Sequence, residues 1–166
     1  ASGGLWAARL FWILDYYGHE KVSLVNGGMV KWKAEGRDVT AEAPPLKEAK
    51  FTALPDPSKL ATMDWLKERL GKGGLVILDA RSHKEFVGED LRSARGGHIP
   101  GATNLDWAKT VTGDQKTFLP YMELRNLVHL TGAKKQGEVV TYCQTGVRAA
   151  QLYFFLKLLG YDKVRL

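Results

Sequence analysis

Residues 137–148 read Gly-Glu-Val-Val-Thr-Tyr-Cys-Gln-Thr-Gly-Val-Arg, and they contain the only cysteine of the chain, Cys143. The apolar run before the cysteine predicts a buried strand, and the pattern after it predicts a helix. The unpaired N–H groups and the dipole of a helix N-terminus favour an anion there. A thiol in that place is biased towards the thiolate, the form that attacks electrophiles. Cys143 is therefore the candidate nucleophile.

The residues after the cysteine fit a loop that holds an anion. Gly146 allows the backbone to curl with its N–H groups inwards, and Gln144 and Thr145 add polar groups. Arg148 places a cation in the first helical turn, where it opposes the helix dipole, so it indicates an anionic partner. Structural interpretations stay open: Thr145 as a helix cap, Arg148 as a surface residue, Cys143 as a small buried side chain.

Composition is that of an ordinary globular protein. With 166 residues, 45% of them hydrophobic and 25% charged, the chain can form one good core but is short for two complete domains. Its 24 basic and 18 acidic residues give a net charge of +6 without charged blocks. This mild basic bias suits a small anionic substrate and does not indicate nucleic acid as a partner.

Several classes of protein are excluded by the sequence. One cysteine permits neither an intrachain disulfide framework nor a cysteine-cluster metal site. No apolar run is long enough to span a membrane, so no membrane association is expected. The N-terminus lacks a secretion signal and reads as cut. The compartment is therefore open, with the cytoplasm slightly favoured and the periplasm not excluded.

The chain contains an internal repeat. Residues 1–24 match residues 143–166 at a constant offset of 142, with nine identical residues among 24, where roughly one or two would be expected by chance. Each copy predicts a loop, a helix that ends at Gly18 or Gly160, and a short strand. Ala1 stands where Cys143 stands in the second copy, so only the second copy carries a sulfur nucleophile.

The repeat divides the chain into three parts. Residues 1–36 are interpreted as the C-terminal part of an inactive unit, and residues 37–50, which contain Pro44-Pro45, as a linker. Residues 51–166 form the catalytic unit, which lacks its last turn and helix. Strands and helices alternate there, which predicts a parallel sheet covered by helices. The predicted elements are strands at 51–54, 75–79 and 102–105 and helices at 63–70 and 121–131.

Four ordered motifs resemble the rhodanese, or thiosulfate sulfurtransferase, family. They are Asp79-Ala80-Arg81, Glu85-Phe86, Gly97-His98-Ile99-Pro100-Gly101-Ala102 and the Cys143 loop. The resemblance covers residues 51–166, and residues 1–36 resemble the rear half of a preceding domain of the same kind. It implies an α/β fold with a five-stranded parallel sheet and helices on both faces. It also implies a tandem whose first domain lacks the cysteine.

The resemblance also implies an activity. The thiolate of Cys143 would take the outer sulfur of thiosulfate as a persulfide and pass it to cyanide or a thiol. Asp79 and Arg81 would support the site, with no metal and no organic cofactor. The sulfur donor would be bound by the loop residues Gln144, Thr145, Gly146, Val147 and Arg148.

Departures from the family pattern bear on the donor. Tandem family members often have an arginine where this chain has Glu85, and the mercaptopyruvate branch has small neutral residues where this chain has Gln144 and Arg148. We therefore expect thiosulfate or another sulfane donor rather than 3-mercaptopyruvate. A sulfur carrier or binding module without catalysis is the other alternative. A cysteine phosphatase would need one more residue between Cys143 and Arg148, and His98 is expected to be structural.

Overall fold

The computed structural model describes residues 3–166, so the prediction that Ala1 replaces the nucleophile lies outside the described residues. In chain order the elements are α1 (Leu5–Tyr16), α2 (Gly28–Ala34), α3 (Met63–Lys67), β1 (Leu75–Asp79), α4 (His83–Val87), β2 (Ala102–Asn104), β3 (Val111–Thr112), β4 (Thr117–Phe118), α5 (Tyr121–His129), β5 (Glu138–Tyr142), α6 (Val147–Leu158) and β6 (Val164–Arg165). Short 3₁₀ turns lie at Pro57–Lys59 and Trp107–Thr110.

The main sheet has four strands, all parallel, in the order β2-β1-β5-β6. Asp79, the last residue of β1, is in register with Tyr142 of β5 and with Asn104 of β2. The carboxyl ends of these strands therefore meet at one edge, and Cys143 follows directly at that edge. A short antiparallel pair, β3 and β4, lies apart from the main sheet. The predicted α/β class with a parallel sheet is confirmed.

The predicted number of five strands is wrong for the described residues, where the sheet has four. Residues 51–54 do not form a strand, because the Leu54 N–H donates to the carbonyl of Tyr17 at the end of α1 rather than to a strand. The fifth position, beside β6, is taken by the start of the second unit. Leu166 donates to the carbonyl of Lys59, and Ala61 donates to the carbonyl of Leu166. These two bonds are too few to extend the sheet.

The equivalent helices of the two repeat copies, α1 and α6, differ in how deeply they are buried. Helix α6 packs against β5 and β6 and also against α1, so Leu152 is 0% exposed. The matching residue of α1, Leu10, is 56% exposed. The short strand predicted after Gly18 is likewise not formed in the described chain. Its counterpart β6 pairs with β5.

Residues 37–50 form neither a helix nor a strand, and their side chains are exposed. This agrees with the composition that predicts a linker. Beyond this segment the chain is not simply two separate parts, because α1 packs on α6 across it. The division at 1–36, 37–50 and 51–166 stays a prediction.

A hydrogen-bond network joins α1 to the second unit. The Tyr153 hydroxyl donates to Asp15 Oδ2 at 2.6 Å, and Lys59 Nζ donates to Asp15 Oδ1 at 2.6 Å. Burial, together with the hydrogen bond to Asp15, raises the pKa of Tyr153 well above its usual range. The phenol therefore stays protonated and remains a donor.

We expect Tyr153→Phe to destabilise the chain by about 1.5 kcal/mol, because the lost bond has a charged acceptor. Urea unfolding followed by circular dichroism measures the change. Tyr17→Phe is the matched control because Tyr17 is exposed. This substitution should leave the free energy of unfolding nearly unchanged. Equal effects of the two substitutions would contradict a role for this network.

Candidate active site

Cys143 lies at the junction of strand β5 and helix α6. The N-cap of α6 is Gly146, with φ of 83° and no side-chain cap, so Thr145 is not the cap. The Gly146 N–H donates to the sulfur of Cys143, with N and Sγ 3.1 Å apart. Cys143 is half-buried and free. The helix dipole and this N–H group both favour a negative charge on the sulfur.

An open depression of about 260 Å³ gives access to the sulfur. Its lining residues are Arg81, Ser93, Arg95, Gly96, Gly97, His98, Ile99, Tyr142 and Cys143. The Tyr142 hydroxyl accepts the N–H of Ile99, and burial together with Asp79 raises the pKa of Tyr142 to about 12. Arg95 is exposed and forms no ion pair within residues 3–166. It is therefore a cation available at the mouth of the depression.

The other predicted loop residues, 144–148, follow Cys143 directly, and none of them is among the residues that line the depression in the described part of the chain. Gln144 and Thr145 are exposed, and Val147 is half-buried as the first residue of α6. The Gln144 side-chain amide lies 3.4 Å from the carbonyl of Arg92, which ties the loop to the segment before Gly97. The structure thus brings residues 143–148 together, and their roles towards a donor stay predictions.

Asp79 and Arg81 form a two-pronged ion pair below the loop. Arg81 Nε donates to Asp79 Oδ1 at 2.9 Å and Arg81 Nη2 donates to Oδ2 at 2.6 Å, while the carboxylate is fully buried. Arg81 Nη2 also donates to the carbonyl of Gly97 at 2.7 Å. The Asn104 amide donates to the carbonyls of Asp79 and Arg81. The pair therefore joins the ends of β1 and β2 to the Gly97 turn.

Arg148 is also held by a carboxylate. Its Nη1 donates to Glu85 Oε2 at 2.6 Å and its Nη2 to Glu85 Oε1 at 2.8 Å. Glu85 is 2% exposed, and the hydrogen bonds from Arg148, with those from Ser82, lower its pKa to about 2. The pKa of Arg148 is raised, chiefly by its hydrogen bonds to Glu85.

Sequence reasoning did not find the Glu85–Arg148 pair. One signal was present: Ser82-His-Lys-Glu85 has the spacing of a capping box, and the structure has that box at the start of α4. The box predicts the place of Glu85 on a helix. It does not predict a partner 63 residues later in the chain.

His98 is held in place by contacts with Phe86. Its Nδ1 lies 2.8 Å from the carbonyl of Phe86, so this nitrogen donates, and its ring stacks on that of Phe86 with centroids 3.6 Å apart. This geometry accounts for His98 as part of the turn that frames the depression.

Within residues 3–166, no three His, Cys, Asp or Glu side chains are grouped so as to hold a metal ion. In that same part of the chain, each helix is too short or too polar to cross a membrane.

Comparison with known proteins identifies the family. The sequence profile described as Rhodanese-like domain matches residues 62–166. The chain is 35% identical to the thiosulfate sulfurtransferase of Azotobacter vinelandii over 99% of its own length and 60% of that protein. It is 40% identical to the sulfur carrier protein TtuD of Thermus thermophilus over 96% of its own length and 60% of that protein. The chain thus spans about three fifths of these relatives.

Solved structures agree. SseA of Escherichia coli, described as a 3-mercaptopyruvate sulfotransferase with the rhodanese fold, superposes with a TM-score of 0.85 at 29% identity. The alignment covers 99% of this chain and 62% of SseA. The enzyme EanB, solved in complex with ergothioneine, gives a TM-score of 0.87 at 25% identity, covering 98% of this chain and 41% of EanB. The fold is an α/β domain whose one cysteine lies at the carboxyl edge of a parallel sheet. The chain belongs to the rhodanese family.

A test of the loop geometry uses Gly146. A Cβ at this residue would lie 2.8 Å from Arg9 Nη1 and 3.3 Å from Leu166 Cδ2, in addition to the strain of its positive φ. We expect Gly146→Ala to slow alkylation of Cys143 by iodoacetamide about tenfold, because the N–H that contacts the sulfur must move. Intact-mass spectrometry of samples quenched at successive times measures the alkylation rate.

Gly132→Ala is the matched control. Gly132 also has a positive φ, of 79°, but a Cβ there would meet nothing within 4 Å. It should destabilise the chain by about 1 kcal/mol and leave the alkylation rate unchanged. Equal rates in the two variants would mean that the Gly146 N–H does not set the reactivity of the sulfur.

Proposed function

We propose that the chain transfers a sulfane sulfur through a persulfide on Cys143. The observation that carries the proposal is the position of the Cys143 sulfur at the N-terminus of α6, where it accepts the Gly146 N–H at 3.1 Å. A sulfur held there as a thiolate needs no separate general base. Family membership and the names of the relatives support the same class of reaction.

In the first step the Cys143 thiolate attacks the outer sulfur of thiosulfate. A new S–S bond forms to Cys143, the S–S bond of thiosulfate breaks, and sulfite leaves with the bonding electron pair. The terminal sulfur of the persulfide carries the negative charge, and we place it among the N–H groups of residues 144–148, of which the Gly146 N–H lies 3.1 Å from the Cys143 sulfur. These donors stabilise the charge that develops there.

In the second step an acceptor attacks the terminal sulfur. Cyanide takes it to form thiocyanate, or a thiolate takes it to form a new persulfide, and the electron pair of the broken bond returns to Cys143 as thiolate. Atoms and charges balance without an external oxidant or reductant. The reaction thus needs no cofactor beyond the persulfide itself.

Thiosulfate is the preferred donor over 3-mercaptopyruvate. The relative from Azotobacter is named for thiosulfate, whereas SseA is named for 3-mercaptopyruvate at lower identity. Glu85 holds both terminal nitrogens of Arg148, so the charge of this guanidinium is already balanced by a carboxylate before a donor binds. The exposed cation Arg95 can attract a small dianion to the depression.

A sulfur carrier is the second candidate. The relative from Thermus is named a sulfur carrier protein at 40% identity. A carrier would form the same persulfide but would hand the sulfur to a protein partner rather than turn over with a small acceptor. A carrier and an enzyme would therefore need the same residues around the sulfur.

The domain arrangement is part of the proposal. We infer that residues 1–36 are the rear part of a preceding rhodanese-like unit, because the repeat places α1 at the equivalent position to α6. The exposure of Leu10 on α1, compared with the buried Leu152 on α6, supports this inference.

Steady-state kinetics separate an enzyme from a carrier. With thiosulfate and cyanide, an enzyme forms many equivalents of thiocyanate and gives parallel double-reciprocal lines, because sulfite leaves before the acceptor binds. A carrier gives one equivalent or less. Substituting 3-mercaptopyruvate for thiosulfate tests the donor, and a higher kcat/KM with it would reverse our preference.

A further inference from the structure

Three arginines near the sulfur are each matched by a carboxylate. Arg81 is paired with Asp79 at 2.6 Å, Arg148 with Glu85 at 2.6 Å, and Arg92 with Asp90 at 2.9 Å. Arg95 is the cation at the depression that has no ion pair within residues 3–166. Although the chain as a whole carries +6, little of that charge is free at the site.

Among these pairs, Glu85–Arg148 is the one whose arginine belongs to α6, the helix that begins directly after the cysteine loop. Arg148 lies in the first turn of α6, five residues after Cys143. Glu85 is buried and accepts bonds from Arg148 and from the backbone and side chain of Ser82. Its carboxylate therefore has a fixed place, and the guanidinium has a fixed direction.

We propose that Glu85 is a positioning residue that sets donor selectivity by binding both terminal nitrogens of Arg148. The carboxylate of Glu85 balances the positive charge of Arg148, so this guanidinium attracts the anionic end of a donor less strongly. The inference rests on the proposed function, because it concerns which sulfur donor the site selects. A site with a neutralised Arg148 favours donors that are bound by the loop N–H groups. It disfavours donors whose carboxylate must bind an arginine side chain that has no other anionic partner.

The test compares two alkylating reagents at Cys143, iodoacetate and iodoacetamide, which differ by one negative charge. The ratio of their rates reports the electrostatic potential at the sulfur and requires no sulfur donor. In Glu85→Gln we expect the ratio of iodoacetate to iodoacetamide rates to rise roughly fivefold, because the charge of Arg148 is no longer balanced. High salt should reduce the difference. Glutamine at this position still fits a capping box, so α4 keeps its start.

Two variants serve as controls. Glu89→Gln removes the same charge from an exposed residue four positions later and should leave the ratio unchanged. Glu85→Gln with Arg148→Gln restores the net charge of the wild type and should return the ratio to the wild-type value. A purely structural role for Glu85 would lower the melting temperature of Glu85→Gln without changing the ratio, and that result overturns the proposal.

The double variant also decides the matter if Glu85→Gln alone does not fold. In a folded double variant, a ratio equal to that of the wild type supports neutralisation of Arg148 by Glu85. A fivefold fall would show that Arg148 attracts anions in the wild type and would overturn the proposal. Sulfur uptake from thiosulfate by the wild type is measured separately, so that failure of the proposed function is distinguished from failure of this inference.

Discussion

Replacing Cys143 with serine is expected to abolish sulfur uptake from thiosulfate. Intact-mass measurement of the wild type should show a gain of about 32 Da after thiosulfate, which a later addition of cyanide removes. Serine has nearly the same shape, and its oxygen can accept the Gly146 N–H that now contacts the sulfur. An alcohol is far less acidic than a thiol, and its oxygen cannot form a persulfide. The variant should therefore fold and show no gain.

The comparison is decisive because Cys143 is the only cysteine of the chain. A gain of mass in Cys143→Ser would mean that sulfur is held without a covalent bond to cysteine, and the proposed mechanism would be wrong. No gain in a folded wild type would remove thiosulfate as donor and favour another sulfane donor or a binding role. Cys143→Ala, which also removes the hydrogen-bond acceptor, checks that the result does not depend on the serine hydroxyl.

The position of the cysteine loop, between a strand and a helix, was predictable from the sequence because its signals are local. An apolar run, a cysteine, a glycine three residues later and a helical pattern are all within about 20 residues of Cys143. The structure has β5, the positive φ of Gly146 and α6 in these places. Each element depends on neighbours in the sequence, so pattern and propensity suffice.

The pairing of Glu85 with Arg148 and the edge of the sheet were not predictable in this way. Both depend on contacts between residues far apart in the chain. Nothing in the residues around Glu85 indicates whether its carboxylate faces solvent or a guanidinium on α6. At the sheet edge, the apolar pattern of residues 51–54 suits a strand, but the end of α1 takes the backbone bond of Leu54, and residues 59–61 reach β6 instead.

The burial of the two repeat copies was likewise not predictable from the sequence. Residues at equivalent positions have similar sequence in α1 and α6, yet Leu152 is covered by a sheet and Leu10 is not. Sequence similarity predicts the helix and its C-terminal glycine in both copies. Burial depends on what packs against the helix, which the repeat alone cannot specify.

The second large effect is expected from Arg81→Met, which should destabilise the chain by about 3 kcal/mol and lower its melting temperature by roughly 10 °C. Asp79 is 0% exposed, and without Arg81 its carboxylate would keep only the backbone N–H of residue 81 as a donor. A buried charge without its partner costs far more than an ion pair gains at the surface. The link from β1 to the Gly97 carbonyl would also be lost.

The chain offers a matched control in Arg92→Met. Asp90 and Arg92 have the same spacing as Asp79 and Arg81 and the same pattern of bonds from Nε and Nη2, but Arg92 is 60% exposed. Its loss should cost about 0.5 kcal/mol or less. Since bond geometry is nearly equal in the two pairs, a difference in unfolding free energy measures the effect of burial. Similar losses would mean that the Asp79–Arg81 pair is not a brace of the site and that other contacts hold the edge of the sheet beneath Cys143.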